Sequence, residues 1–265
     1  MDNRDSREIA RHYEQRVLRS LHKFGFLRTR DLAALLFSRG IKGRGGFEPL
    51  VIEVSASARR MAQRTLRRLR QVHMVIWLKA PDGSVIYGLS EAGARQLVNS
   101  GIPAKSGKDI VRRVSLSHFH HRRIANEIAI GALLQGFRAN SEHEIAMGDW
   151  LGGKQGVEGK KPDVVVRDGK NVWFLEVERS RRNERDYAKL INFLMAMWPD
   201  GRNAYEPAEL PGGHKLCQVV FISDAAFVAR VHADLKKAGW NEEMIATRVS
   251  AFVSLYITEA KYIVC

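Results

Sequence analysis

Between Lys161 and Ser180 the chain reads KPDVVVRDGKNVWFLEVERS, and this stretch restricts the fold more than any other. Two apolar runs, PDVVV and WFLEVE, flank the turn-forming RDGKN, so the expectation is a pair of strands. Residues two apart in a strand project to one face, so Glu176 and Glu178 point together while Val177 points to the opposite packing. If the runs pair through the turn, counting back along the hairpin brings Asp163 near the two glutamates. Three carboxylates beside apolar neighbours repel one another. A divalent cation offsets that repulsion: hard oxygen ligands suit Mg²⁺ or Mn²⁺, which can activate a water and neutralise phosphodiester charge.

The 265 residues are long for one compact unit, and the expectation is two domains. In the front part, ARHYEQRVLRSLHKFGF carries Val17, Leu18, Leu21 and Phe24 at helical spacing. LRTRDLAALLF offers Thr29 as the N-cap of a second, short helix. After the Gly-rich loop SRGIKGRGGFEPLV, the segment ASARRMAQRTLRRLRQVHMV sets Ala62, Leu66 and Leu69 against Arg60, Arg64, Arg67 and Arg68, an amphipathic helix with a cationic outer surface. VIWLKAPDGSVIYGLSEAGARQLV adds two alternating strands around APDGS and a helix capped by Ser90.

Helix, helix, basic helix, hairpin, helix is the order of a winged helix-turn-helix, and YGLSEAGARQL resembles the wing-to-last-helix stretch of such domains. The third helix would enter the major groove and the wing would lie on the backbone. Domain bounds follow as 1–99 for this unit, 100–113 for a linker (NSGIPAKSGKD and neighbours) and 114–265 for the rest.

Charge separates the two parts. Residues 1–113 hold 23 Lys+Arg against 10 Asp+Glu, and residues 114–265 hold 20 against 19. A local cationic excess is the footprint of a polyanion, because each neutralised phosphate releases counterions. Double-stranded DNA is therefore the expected partner. The expected contacts are Arg59, Arg60, Arg64, Arg67, Arg68 and Lys79, joined by Arg179, Arg181 and Arg182 of RSRRNER beside the acidic strand. Two cysteines give no disulfide framework or zinc spacing, the start lacks an apolar leader core, and no apolar run approaches the roughly 20 residues of a membrane span. The expected location is the cytoplasm, with no membrane contact.

The second part reads as a helix (SLSHFHHRRIANEIAIGALLQGF, Ser117 near its start), strands at SEHEIAMGDW, PDVVVR and NVWFLEVER, a helix at ERDYAKLINFLMAMW, a strand at LCQVVFIS, a helix at AAFVARVHADLKKAG and a last strand at SAFVSLYI. Helix, three strands, helix, strand, with PD on one strand and an acidic pair on the next, resembles the PD-(D/E)XK nuclease fold. The overall class is α+β: a winged helix-turn-helix followed by an α/β domain with a mixed central sheet flanked by helices. Asp163 matches the aspartate of that motif and Glu176 its first acidic residue. Glu178 stands where the lysine usually is, so Lys189 on the next helix is the candidate migrated lysine, and Glu144 on the preceding strand is a further metal ligand. With a winged helix in front, the constellation resembles the replication-relaxation family, including MobC-type relaxases. That resemblance implies metal-dependent nicking of one strand at a transfer or replication origin of a plasmid or integrative element, alongside other DNA-processing proteins. Under it Asp163 and Glu176 hold Mg²⁺ or Mn²⁺, Glu178 completes the site and Lys189 stabilises developing charge. The alternative is a DNA-binding regulator or relaxosome accessory protein on a degenerate nuclease fold.

Two competing signals carry less. His118 and His120 of HFH would need a strand to face one side, and the pattern there is helical. Tyr187 reads as a packing residue of its helix rather than a covalent nucleophile.

Overall fold

The computed structural model describes residues 6–40, 46–50, 52–178, 184–199 and 206–252. By its internal contacts the chain forms two compact units, residues 1–41 with 52–130 and residues 42–51 with 131–265.

The first unit runs α1 (Ser6–Phe24), β1 (Leu27–Arg28), α2 (Thr29–Phe37), α3 (Ala56–Gln71), β2 (Val75–Lys79), β3 (Val85–Leu89), α4 (Glu91–Asn99), α5 (Lys108–Arg112) and most of α6 (Leu116–Leu134). Its three strands form an antiparallel sheet in the order β1-β3-β2. On α1 the residues Val17, Leu18, Leu21 and Phe24 are buried, one stripe at spacings of one, four and seven. On α3 the buried set is Ala58, Ala62, Thr65, Leu66 and Leu69, and Ser55 accepts from the Ala58 N–H at 3.2 Å to cap the helix. Each Leu or Phe fully removed from water contributes about 1.5–3 kcal/mol.

Ser90 caps α4 through the Gly93 N–H at 3.0 Å and donates its hydroxyl to the His73 carbonyl at 2.6 Å. A Cβ on Gly93 would sit 2.1 Å from the Met74 carbonyl oxygen, which is why the first turn of α4 needs glycine there. Thr29 is inside α2 rather than its cap: the helix starts one residue earlier, because the Asp31 carboxylate accepts from the Arg28 N–H at 2.8 Å.

The stretch 100–113, read from sequence as a linker, contains α5. Its Val111 is buried with Phe26, Ala80, Ile86 and Phe119, and the Gly107 N–H donates to Leu89 O at 2.9 Å. The front of α6 also belongs to this unit. Arg122, Arg123, Asn126 and Glu127 lie on one helical face. Arg122 donates to Phe24 O at 3.2 Å, Asn126 to Phe26 O at 3.1 Å, Arg123 pairs with Asp82 at 3.1 Å, and Glu127 accepts from Arg30 at 2.9 Å. Buried polar groups need such partners, and HRRIANE acts as a polar clamp on α1, the residues around β1, α2 and the β2–β3 turn.

The second unit runs β4 (Arg138–Asn140), α7 (Glu142–Met147), β5 (Val164–Asp168), β6 (Asn171–Val177), α8 (Glu184–Met197), β7 (Ala208–Leu210), β8 (His214–Ile222), α9 (Ala225–Lys237), α10 (Glu242–Arg248) and β9 (Val249–Ala251). The strand order is β4-β5-β6-β8-β7, with β9 also on β8. The β6–β8 and β8–β9 pairs are parallel and the others antiparallel, a mixed sheet as expected. One face carries Val165, Val172, Phe174, Leu216, Val219, Phe221 and Val249 into a core with Leu190, Phe193 and Leu194 of α8, Val231 and Leu235 of α9, and Met244 and Ile245 of α10.

One expected strand needs correction. SEHEIAMGDW is the helix α7, not a strand, because Ser141 and Glu144 form a reciprocal capping box. The helix α10, capped by Asn241, and the short β7 were not anticipated. Of the last expected strand only its start, β9, falls within the described residues.

Candidate functional site

The β5–β6 hairpin pairs Val164 with Leu175. Asp163 lies one residue before that pair and Glu176 one residue after it, so both carboxylates are carried at the same end of the hairpin ladder. The Asp163 N–H donates to Leu175 O at 3.0 Å, and its Oδ2 accepts from the Val177 N–H at 2.8 Å. The aspartate thus supplies the acceptor that β5 would have offered had it continued, and ends the ladder. Glu176 lies near the carboxyl end of β6, beside Phe221 of parallel β8, and is only 1% exposed.

Its partner is a lysine from a segment that reads in sequence as a mere loop. Lys160 Nζ donates to Glu176 Oε2 at 2.6 Å, with the lysine side chain 17% exposed. A buried carboxylate requires such compensation, since an uncompensated charge out of water costs several kcal/mol. The loop that delivers Lys160 is a tight hairpin. Val157 and Lys160 exchange backbone hydrogen bonds at 3.0 and 2.8 Å, and the two residues between them, Glu158 and Gly159, both have positive φ, 47° and 71°. Gly156, at φ 84°, closes against it: a Cβ there would lie 2.5 Å from the Lys160 carbonyl oxygen. The signal in the sequence was GVEGK, a two-residue primed turn ending on a lysine three positions before Asp163.

The other expected residues are placed differently. Lys189 projects from α8 with its side chain 63% exposed and pairs with Asp186 at 2.9 Å, so α8 turns it to the solvent side rather than to the strands. Glu178 is buried, and its N–H extends the β6–β8 ladder to Ile222 O at 2.9 Å. Glu144 Oε2 accepts from the Ser141 N–H at 2.9 Å, so its carboxylate serves the capping box of α7. Among the described residues no three His, Cys, Asp or Glu side chains form a group that could hold a metal ion. Asp163 and Glu176 are two hard oxygen donors at one end of the hairpin, a chemistry that suits Mg²⁺ or Mn²⁺, which bind through one or two carboxylates with the rest of the shell from water or phosphate.

Tyr187 is buried and donates to Asp234 Oδ2 at 3.0 Å, with the Arg230 guanidinium 3.8 Å from the ring centre. Burial, together with that carboxylate, pushes its pKa up to about 12, the wrong direction for a phenolate nucleophile. His118 and His120 fall on α6, one exposed and the other buried, so the imidazoles do not share a face.

In the first unit, Arg59, Arg60, Arg64 and Arg67 are exposed on α3, and Arg60, Arg64 and Arg67 form one stripe about 10 Å long. Arg68 pairs with Glu14 of α1 at 2.7 Å. Lys79 is exposed at the end of β2. Arg179, Arg181 and Arg182 lie outside the described residues. No described helix is long and apolar enough to cross a membrane.

No curated protein and no solved structure matches the chain. A family model described as replication-relaxation matches residues 18–192, from the middle of α1 through the acidic hairpin and the Lys160 loop into α8, more than half of the sequence. The chain therefore belongs to the replication-relaxation family.

Proposed function

We propose that this protein, in keeping with a family role in replication or relaxation, binds double-stranded DNA through a winged helix-turn-helix and nicks one strand at a PD-(D/E)XK-like centre that uses Mg²⁺ or Mn²⁺, in the manner of a MobC-type relaxase of a plasmid or integrative element. The observation that carries this reading is the acid–lysine centre: Asp163 and Glu176 at the same end of the β5–β6 hairpin, with the Lys160 ammonium 2.6 Å from Glu176. The order α1-β1-α2-α3-β2-β3 and the arginine stripe on α3 support the winged-helix part. In that part α3 is the groove-reading helix, and the hairpin with Lys79 lies along the backbone.

Asp163 and Glu176 would hold the ion, which supplies water activation and charge neutralisation when bound. Lys160 would take the role that spacing alone gives to Lys189: its ammonium, 2.6 Å from Glu176, is the donor available to a developing negative charge at the pair. Glu178, two positions along the same strand edge, orients the attacking water.

A second reading, a non-cutting DNA-binding regulator or relaxosome accessory protein, is favoured by one observation. Glu176 is 1% exposed and its ion pair with Lys160 is also what a purely structural salt bridge looks like. The two separate in one assay, the conversion of supercoiled plasmid carrying the native site to open circles with Mg²⁺ or Mn²⁺. The nuclease reading expects wild type to nick, Glu176→Ala to be silent, Lys160→Ala to lose roughly 10²-fold or more in rate, and Lys189→Ala to cut like wild type. A wild-type protein that binds the plasmid and never cuts it hands the function to the regulator reading.

A further inference from the structure

Trp198 and Trp240 are core residues, each 4% exposed, whereas Trp77 on β2 is 49% exposed. The Arg70 guanidinium, from the last turn of α3, lies 4.4 Å from the centre of its ring. Beneath this pair is a groove of about 470 Å³ lined by Arg67, Arg70, Gln71, His73, Val75 and Trp77. That volume is in the range of small-ligand sites, about 300–1,000 Å³. His73 makes the corner between α3 and β2 with φ 56°, a conformation rarely adopted by residues other than glycine.

The lining brings together one aromatic face, two guanidinium groups, an amide and an imidazole, and among its described residues there is no carboxylate. Arg67 belongs both to the groove and to the exposed arginine stripe of α3, so the groove continues the cationic surface.

We propose that this groove holds an unstacked nucleobase from single-stranded or locally melted DNA, lying against the Trp77–Arg70 stack while Arg67 takes the adjoining phosphate. The proposal rests on the DNA-binding reading above and extends it from duplex to opened strand. A positively charged groove with an exposed aromatic is the chemistry of single-strand binding, in which ring stacking captures a base of any sequence. Bases inside a duplex already stack on their neighbours and present only edges, so an aromatic face in this position selects bases that have left the helix. An acidic peptide could satisfy the same cations, but it would leave a flat stacking surface half used.

The test compares the full chain with Trp77→Ala, Trp77→Phe and Arg70→Ala by fluorescence anisotropy on three probes: a duplex, the same duplex with a central unpaired bubble, and its single strand. Far-UV circular dichroism confirms that each variant is folded. Wild type is expected to prefer the bubble over the duplex. Trp77→Ala should weaken bubble and single-strand binding by roughly 5- to 150-fold, the range for losing one base–aromatic stack, and leave duplex binding within about twofold. Trp77→Phe, which keeps a ring, should retain most of the preference, and Arg70→Ala should fall between. Equal wild-type affinity for bubble and duplex overturns the base pocket alone. Trp77→Ala binding all three probes like wild type overturns it too. Wild type binding none of the probes instead refutes the DNA-binding reading on which the pocket rests.

Discussion

Replacing Lys160 by Met keeps a long apolar stem and removes the ammonium that lies 2.6 Å from Glu176 Oε2. Glu176 is then a carboxylate 1% exposed to solvent without that cation. Removing one member of a buried ion pair costs about 3–5 kcal/mol, because the remaining charge stays desolvated. The Lys160 side chain retains 17% exposure, so water can partly take the vacated position, and the lower end of that range, about 3 kcal/mol, is expected. For a chain of this size that is roughly 6–12 °C in Tm. The double variant Lys160→Met/Glu176→Gln should recover much of the loss, since the buried negative charge is gone. Thermal and guanidinium melts followed by circular dichroism give these values. Mn²⁺ adds a second readout: with the ammonium absent, the carboxylate pair is open to the cation, and saturation to about 100 times Kd would return about 2.7 kcal/mol to Lys160→Met. A Lys160→Met protein within about 0.5 kcal/mol of wild type, and indifferent to Mn²⁺, would refute both the energetic weight of the pair and the metal reading built on it.

Two further outcomes are expected. Changing Arg60, Arg64 and Arg67 together to Ala should flatten the salt dependence of duplex binding, by about 0.9 in log–log slope for each phosphate no longer neutralised; filter binding across a salt series measures it, and an unchanged slope would move the DNA-binding surface elsewhere. For Asp82, burial alone would raise the carboxyl pKa, but hydrogen bonds from Ser84 and the field of Arg123 outweigh it and hold the group below its ordinary value. A depressed pKa in the folded state gives stability that is present above the unfolded value near pH 4 and lost as pH falls through the folded one. Asp82→Asn should therefore remove part of the acid limb in melts from pH 6 to pH 2, and an identical acid limb in the variant would exclude the Arg123–Asp82 clamp as a contributor.

Much of the fold was legible because its signals are periodic. The alternating runs of VIWLK and VIYGL, the 3.6-residue stripes of α1 and α3, and the Ser90 cap each depend on a few neighbouring residues, and all appear where the pattern puts them. The misreadings have two physical causes, the first being side chains whose role is set by non-local partners. HRRIANE looked like the opening helix of the second domain, yet its polar face is committed to Phe24, Phe26, Arg30 and Asp82, residues 41 to 100 positions away. SEHEIAM has strand-like alternation at its start, but the Ser141–Glu144 capping box is a local device that outweighs a short alternating pattern, and one Glu144 carboxylate oxygen is engaged in it.

The displaced lysine shows how far spacing can lead. On the proposed nuclease reading, Glu178 stands where that resemblance puts the lysine, so the cation would have to come from another element. A helix is a natural candidate, and Lys189 sits at the border of the buried stripe formed by Leu190, Phe193 and Leu194. Yet Asp186, three residues earlier on the exposed side, offers a partner at 2.9 Å without any burial, and an exposed pair forms without the desolvation that reaching the strands would cost. Lys160 is held in another way. Its backbone is fixed by the Val157 bridge, its carbonyl is packed against Gly156, and Pro162, with its own φ locked by the ring, stiffens the approach to Asp163. A lysine on a turn with that little conformational freedom loses less entropy on reaching Glu176 than one on a freely solvated helix face. On the proposed reading the cation of this chain is therefore to be sought first in the rigid turn before Asp163, where the positive-φ Glu158 and Gly159 fix Lys160, and only afterwards on α8.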